Sequence, residues 1–174
     1  MSMTDENNLY KELKKVSFTK ADLNNRLNLL RSYLENRFFA KKSKPLVVFL
    51  QNPEINPEDS LAIKKLSKNF FAAFDKNNAY SLLSTIEKTA EKDEVLKVYL
   101  PVEFTGKEKD KVASWFKDNL AVDYIIDIEV DPSLTLGFSF ASKGVYHDFS
   151  LKYFVNKLRP QIKSILERYV GQNN

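Results

Sequence analysis

The stretch of sequence that decides the fold is Val130-Asp131-Pro132-Ser133-Leu134. On its N-terminal side, residues 124–130 place apolar side chains at every second position, and residues 136–140 do the same on its C-terminal side. This period of two is typical of a half-buried β-strand. Asp, Pro and Ser are residues that favour turns. The stretch therefore predicts a tight turn between two strands.

Two further strands are predicted around this turn. Residues 96–102 alternate in the same way, and Pro101 is expected at the end or on an edge of that strand because proline cannot donate a hydrogen bond to the ladder. Ser142-Lys143-Gly144 is a turn sequence that leads into a short strand near residues 145–147. The region thus predicts a small sheet.

Two helices are predicted in the same region. Thr105-Gly106-Lys107-Glu108 is a capping box that begins the first of them. The apolar residues expected on its buried face are Val112, Trp115, Phe116 and Leu120. The second helix is capped by Asp148 or Ser150, and Pro160 is expected to kink it or to end its first segment near residues 157–159. Its apolar positions are Leu151, Phe154, Val155, Leu158, Ile162, Ile165 and Leu166.

The first half of the chain has helical spacing instead. Thr19 and Asp22 form a variant of the capping box before a predicted helix over residues 20–39, and a weaker helix is expected over residues 6–15. The apolar run at residues 45–50 fits either a helix or a strand.

A proline marks the next helix start. Asn56 provides an N-cap and Pro57 the first helical position. Helical spacing continues to residue 74 through Ile63, Leu66, Phe70 and Phe74. Another short helix is expected over residues 79–90. The fold class is therefore α+β, with a helical bundle over residues 1–92 and a small α/β unit over residues 93–174 that contains a short mixed or antiparallel sheet.

Composition excludes several classes of protein. There is no Cys and a single histidine, His147, so disulfides, thiolate metal sites and histidine-rich metal clusters are excluded. No apolar run approaches the roughly 18–20 residues of a membrane span. The N-terminal residues lack the pattern of a signal peptide, so a cytosol-like compartment is expected. The net charge of +4 is only mildly basic.

No arrangement typical of an enzyme is found in the sequence. Phosphate-binding glycine loops and the common hydrolase motifs are missing. Asp127, Glu129 and Asp131 share one strand parity, which fits either a divalent-cation site or the solvent face of a strand. His147 and Asp148 are sequence neighbours that would point to opposite faces of a strand. We therefore expect no catalytic residues, no cofactor and no metal.

The order of motifs resembles one known family. Asp131-Pro132-Ser133-Leu134, then Gly137, then Asp148-Phe149-Ser150 and a basic helix are similar to the signature of delta subunits of F-type ATP synthases, the oligomycin-sensitivity-conferring protein family. The lysine-rich stretch from Thr105 to Val112 also looks like a segment of that family. The similarity covers residues 94–166. It implies that the signature residues are structural, namely Asp131, Pro132, Ser133, Leu134, Gly137, Asp148 and Ser150.

The resemblance also has departures. Upstream, Leu50-Gln51-Asn52-Pro53-Glu54-Ile55 and Asn69-Phe70-Phe71 look like fragments of the family's N-terminal bundle, with fewer residues between them, which implies a shortened bundle. Leu136 stands where the family has its first glycine, and a looser backbone approach after the turn is expected there. Pro160 in the last helix is the other departure.

The resemblance implies a non-catalytic stator subunit in ATP synthesis and hydrogen ion transport. Such a protein links the alpha subunits of the catalytic head to the b subunit of the peripheral stalk. The helical bundle would receive amphipathic N-terminal helices of the alpha subunits, and the C-terminal unit would take the end of b. The expected location is the cytoplasmic face of an energy-transducing membrane, bound peripherally without insertion. Groove residues are expected among those of the 61–74 and 79–90 helices that the core does not use.

Two other interpretations stay open. One is a stator-like subunit of another rotary ATPase or of a secretion ATPase. The other is a basic nucleic-acid-binding adaptor, suggested by Lys41, Lys42 and Lys44 and by the basic last helix. Nucleic acid is not the partner that the resemblance implies.

Overall fold

The computed structural model describes residues 3–119 and 124–172 of the 174-residue chain. The helices are α1 (Met3–Lys15), α2 (Lys20–Phe39), α3 (Leu46–Phe49), α4 (Pro57–Lys64), α5 (Lys68–Ala72), α6 (Ala79–Glu91), α7 (Gly106–Asn119) and α8 (Leu151–Gln172). The strands are β1 (Val95–Leu100), β2 (Ile125–Val130), β3 (Ser139–Ser142) and β4 (Val145–Asp148). A one-turn 3-10 helix, Pro132–Leu134, lies between β2 and β3 in the chain. The predicted α+β class is confirmed.

The described residues form two compact units. One is drawn from Met1–Glu94 and Asp110–Ile125, and the other from Val95–Lys109 and Ile126–Asn174. The second unit begins close to the predicted boundary between residues 92 and 93. The segment Asp110–Ile125 belongs to the first unit. The predicted division into residues 1–92 and 93–174 placed it in the second.

Helix starts in the first unit follow the predicted caps. The Thr19 hydroxyl accepts a hydrogen bond from the Asp22 backbone N–H at 3.1 Å, and the Asp22 carboxylate accepts one from the Thr19 N–H at 2.9 Å. This capping box begins α2, which spans the predicted residues. The Asn56 side chain accepts from the Glu58 N–H at 2.9 Å at the start of α4. The ambiguous run at residues 45–50 contains the single-turn helix α3.

The helix predicted from Pro57 to residue 74 is wrong as a single element. It ends at Lys64, and α5 begins at Lys68 with Ser67 as its N-cap. The Ser67 hydroxyl accepts from the Phe70 N–H at 3.0 Å, while the Ser67 N–H and hydroxyl donate to the Glu12 carboxylate of α1. A side chain from a distant helix therefore fixes this break. The four apolar residues that suggested one helix, Ile63, Leu66, Phe70 and Phe74, are all buried.

The core of the first unit is aliphatic and aromatic, and charged side chains enter it. Its buried members include Leu13, Leu30, Leu34, Ile63, Phe70, Leu83, Ile86 and Ile125. Arg26 is buried, donates to the Val16 carbonyl, and has its Nε 3.3 Å from a carboxylate oxygen of Asp59. Burial raises the pKa of Asp59, and the Arg26 guanidinium opposes that rise.

A polar contact ties the start of the first unit to its last helix. The Tyr10 hydroxyl donates to the Asp93 carboxylate at 2.5 Å, and the Lys14 ammonium pairs with the same carboxylate. Lys14 is buried. Asp93 follows the end of α6, so this contact joins α1 to the residues just before the second unit.

The second unit is built on a mixed sheet with strand order β2-β1-β3-β4. Val98 of β1 pairs with Phe140 of β3, which pairs with His147 of β4, and both pairings are antiparallel. β1 and β2 run in the same direction. The Ile125 N–H donates to the Glu94 carbonyl, and the Asp131 N–H donates to the Leu100 carbonyl. The two residues of each bond have the same separation in sequence, which is the pattern of parallel strands.

Three side chains that strand periodicity predicts to face the core of the sheet are exposed instead. Val102 and Leu136 lie outside the strands and are exposed, and Val130 is exposed at the end of β2. β1 stops before Pro101, which cannot extend the ladder. Positive φ angles at Thr135 and Gly137 delay the start of β3.

The predicted buried face of α7 is wrong at Trp115, which is 55% exposed, whereas Phe116 is 4% exposed. Neighbouring residues of a helix lie about 100° apart, so the two rings cannot both face a core. Phe116 and the fully buried Ala113 form that face, and Val112 is half-buried. Leu120, the last residue of the predicted face, lies outside the described residues.

Candidate functional site

The signature turn begins where β2 ends. The Asp131 carboxylate accepts a hydrogen bond from the Ser133 N–H at 2.9 Å, with Pro132 at the first position of the 3-10 helix. Hydrogen bonds from the Ser133 hydroxyl and then from its backbone N–H hold the pKa of Asp131 below its usual value. Leu134 is buried. Asp131, Pro132, Ser133 and Leu134 thus build a capped turn with an apolar anchor.

The chain after the turn passes against its own backbone at Gly137. Gly137 has a φ of +92°, and a Cβ placed on it would lie 2.3 Å from the Phe149 carbonyl oxygen and 2.9 Å from the Ser150 Cα. Leu136, whose side chain is exposed, accepts a hydrogen bond from the Leu151 N–H through its carbonyl at 3.0 Å. The close contact is made at Gly137, the glycine that the chain retains, and the looser approach expected from Leu136 stays a prediction.

Asp148 and Ser150 start the last helix. The Asp148 carboxylate accepts from the Ser150 N–H at 2.8 Å, and the Ser150 hydroxyl accepts from the Tyr153 N–H at 3.2 Å. Ser150 is buried. Of the two predicted caps, Ser150 is the N-cap of α8 and Asp148 closes the turn before it.

The turn and the helix cap together line a cleft of about 260 Å³. Its lining residues are Asp131, Ser133, Leu134, Tyr146, Asp148, Ser150, Lys152, Tyr153 and Asn156. Each of the two aspartates uses a carboxylate oxygen to accept from a backbone N–H. The structure therefore brings most of the signature residues into one place, where their side chains stabilise the connection between β2, β3 and α8.

The predicted carboxylate row is divided among different partners. Glu129 pairs with Lys97 at 2.9 Å, whereas Asp131 caps the 3-10 helix. Within residues 3–119 and 124–172, no group of three or more His, Asp or Glu side chains is arranged to hold a metal ion. This arrangement fits the solvent-face interpretation of the row.

His147 and Asp148 have separate surroundings. His147 is exposed and stacks on Phe140, with ring centroids 4.7 Å apart and planes 23° apart. Asp148 pairs with Ser139 in the antiparallel ladder, and its carboxylate accepts a hydrogen bond from the Ser150 N–H. Consecutive strand residues point to opposite faces, so the two side chains do not meet.

Helix α8 carries most of the large apolar side chains that are exposed in the described part of the second unit. It continues through Pro160 over 22 residues. Of the two effects expected of Pro160, an end of the first segment near residues 157–159 is therefore wrong, and a kink stays a prediction. Its side chains from Leu151 to Tyr169 are all exposed. The apolar ones are Leu151, Tyr153, Phe154, Val155, Leu158, Ile162, Ile165, Leu166 and Tyr169. Spacing predicted the stripe, but not that it lies open to solvent.

An exposed aromatic pair in the first unit was not foreseen. The rings of Phe39 and Tyr80 stack with centroids 5.5 Å apart, and the Lys76 ammonium lies 6.0 Å from the Phe39 ring. Phe39 lies beside, and not on, the leucine stripe of α2, a position that could have indicated its exposure. The pair lies between the end of α2 and the first turn of α6.

No protein-family model matches the chain, and no curated protein sequence matches it.

Proposed function

We propose that this chain is a non-catalytic stator subunit of a rotary ATP synthase of the F type, similar to the delta subunit. In this role it would link the alpha subunits of the catalytic head to the stalk b subunit during proton-driven ATP synthesis. The proposal includes no cofactor and no reaction at the chain itself.

The observation that carries the proposal is the open apolar stripe of α8. A helix that is apolar on one side buries that side against another element. The polar positions of α8 carry Lys152, Lys157, Arg159, Lys163 and Arg168 against the single acidic Glu167. A second basic helix of this kind would be repelled, whereas an acidic amphipathic helix would bury the stripe and neutralise the charge. A stalk helix of that character is the partner that we propose for α8.

The signature turn supports the same assignment. Asp131, Asp148 and Ser150 accept hydrogen bonds from nearby backbone N–H groups, of which the Ser133 N–H is one. Gly137 permits a close backbone contact. These are structural roles, as the resemblance to the delta family implies for its signature. A subunit that transmits force needs such a rigid connection between its sheet and its docking helix.

The helical unit is the proposed binding site for N-terminal helices of the alpha subunits. Its surface offers exposed apolar side chains on two of the expected helices, Leu61 of α4 and Tyr80 of α6. We propose a peripheral location on the cytoplasmic face of the energy-transducing membrane. No helix in the described parts of the chain has the length and apolar character needed to cross a bilayer.

Co-purification and native mass spectrometry with alpha and b subunits test the proposal. The full chain should form a complex with both. Leu158→Gln combined with Ile162→Gln should weaken binding to b by about tenfold or more, because each change removes apolar contact area at the centre of the stripe. Binding to alpha should not change.

Lys163→Gln combined with Glu167→Gln is the matched control. These residues lie on the opposite side of α8, their 3.8 Å ion pair is exposed, and the net charge is unchanged. The control should bind b as the parent chain does. A chain that stays monomeric with both subunits, or equal losses in the two variants, would overturn the proposal.

A further inference from the structure

A second exposed surface lies on the first unit, at the connection between α2 and α3. We name it the lysine–valine surface, and its members are Phe39, Lys41, Lys42, Lys44, Val47 and Val48. All six side chains are exposed. The charged side chains of residues 36–53 are all basic, and Glu35, which precedes them, has its carboxylate 3.5 Å from the Tyr80 hydroxyl.

The lysines of this surface are placed by the backbone. The Lys44 N–H donates to the Asn36 side chain at 2.8 Å, which returns residues 41–44 to the last turn of α2. Lys41, Lys42 and Lys44 form no ion pair with any residue that the structure describes. Their charges are therefore available to an outside partner.

The apolar members are held on short, anchored elements. In α3, Leu46 and Phe49 pack against the core, and the Phe49 ring lies 5.5 Å from that of Tyr33. The same turn leaves Val47 59% and Val48 49% exposed. Phe39, 47% exposed, is held in its stack with Tyr80. Anchored, exposed aliphatic and aromatic side chains thus share one short segment, residues 39–48, with three exposed lysines.

We propose that the lysine–valine surface docks on an anionic lipid bilayer. Lysine ammonium groups are compact charges that suit a diffuse negative surface, whereas discrete carboxylates and phosphates are more often bound by the planar guanidinium of arginine. Stable membrane docking needs two signals, an apolar part and a basic part, and this surface has both.

Nucleic acid fits the same surface less well. A base stacks on an open ring face. The stack of Phe39 on Tyr80 covers one face of each ring, and the Lys76 ammonium lies 6.0 Å from the centroid of the Phe39 ring. Val47 and Val48 are aliphatic and offer no stacking platform to a base. In a bilayer the same valines would enter the boundary between headgroups and acyl chains.

Vesicle flotation with the full chain tests the proposal. The chain should bind vesicles that contain phosphatidylglycerol and should not bind pure phosphatidylcholine vesicles. Lys41→Ala, Lys42→Ala and Lys44→Ala together should weaken binding by about 100-fold, since each lysine near an anionic surface contributes about fivefold. Val47→Ser with Val48→Ser should weaken it roughly tenfold and leave its salt dependence unchanged.

The control removes three other exposed lysines of the same unit, through Lys64→Ala, Lys65→Ala and Lys68→Ala. Its binding should change by less than about threefold. Thermal unfolding of each variant checks the fold, and Val47→Thr with Val48→Thr replaces the serine pair if that pair does not fold.

Three results would overturn the inference: no binding to anionic vesicles, equal losses in the two lysine variants, or binding of a single-stranded oligonucleotide but not of vesicles. The experiment contains neither alpha nor b subunits. Its failure therefore leaves the proposed stator function standing, and failure of co-assembly leaves the lipid inference standing.

Discussion

At the scale of single residues, Gly137 and Gly144 are required for different reasons. Gly137 and Gly144 both have positive φ angles, +92° and +77°. A Cβ at Gly144 would meet no atom within 4 Å, whereas one at Gly137 would overlap the backbone at Phe149. Only Gly137 combines the unusual φ with a close approach of two chain segments.

Gly137→Ala should therefore destabilise the protein more than Gly144→Ala. The second change introduces only left-handed strain, which costs about 1 kcal/mol. The first adds a steric overlap that the neighbouring backbone must relieve, and we expect a total of about 3 kcal/mol or more. Urea unfolding of the two variants measures the difference. Equal losses of stability would show that the contact between Gly137 and Phe149 is not a constraint on the fold.

The residue scale also explains which sequence predictions succeeded. Asp131, Ser150 and Thr19 act on backbone groups two or three positions away, so a local sequence pattern is enough to predict their hydrogen bonds. The close approach at Gly137 was not predicted, because it depends on a segment that lies farther along the chain. The close contact partner, Phe149, cannot be identified from the turn alone.

At the scale of elements, the sequence predicted whether a segment is a helix or a strand better than it predicted where that element begins and ends. Capping boxes identified the starts of α2 and α7, because a capping box is formed by residues that are close together in sequence. The break between α4 and α5 was missed since apolar spacing continues across it, while the capping Ser67 is held by Glu12 of α1. The exposure of α8 was missed for a related reason. Periodicity shows which side of a helix is apolar but not whether anything covers it.

Pro160 leads to a prediction about α8. Proline has no N–H to donate to the Asn156 carbonyl and costs about 3 kcal/mol in a helix interior. Pro160→Ala should therefore slow amide hydrogen exchange in the turns around residue 160 by about tenfold or more. The global unfolding midpoint should hardly change, since the side chains of α8 are exposed.

Ser164→Ala is the control for this effect. It lies on the same helix and alters helix propensity by only about half a kcal/mol. Its exchange rates should stay near those of the parent chain. If Pro160→Ala left the rates unchanged as well, the missing hydrogen bond would not limit the stability of α8.

At the scale of the whole molecule, the chain folds into units that are not continuous in sequence. Ile125 belongs to the buried core of the first unit, although β1 and the start of α7 precede it in the chain. Asp93, one residue beyond the predicted boundary, pairs with Lys14 and Tyr10 of α1. A change in local pattern near residue 94 marks where strands begin, but it does not reveal which later segment returns to the first unit.

This grouping predicts the behaviour of fragments. A fragment of residues 1–92 lacks the Asp93 carboxylate, the buried Ile125 side chain and Ala113 and Phe116 of α7, which are also buried. A fragment of residues 1–125 keeps all of them. Burial of one Ile side chain alone contributes about 2 kcal/mol, so the longer fragment should be more stable than the shorter one by at least that amount. It should also unfold in a single cooperative transition in urea, followed by circular dichroism at the helix signal.

Asp93→Ala in the longer fragment separates the two contributions, since it removes the contact with Lys14 and Tyr10 and keeps Ile125. Equal midpoints for residues 1–92 and 1–125 would mean that the first unit is complete before β1 and that the segment from Asp110 to Ile125 adds nothing to its stability.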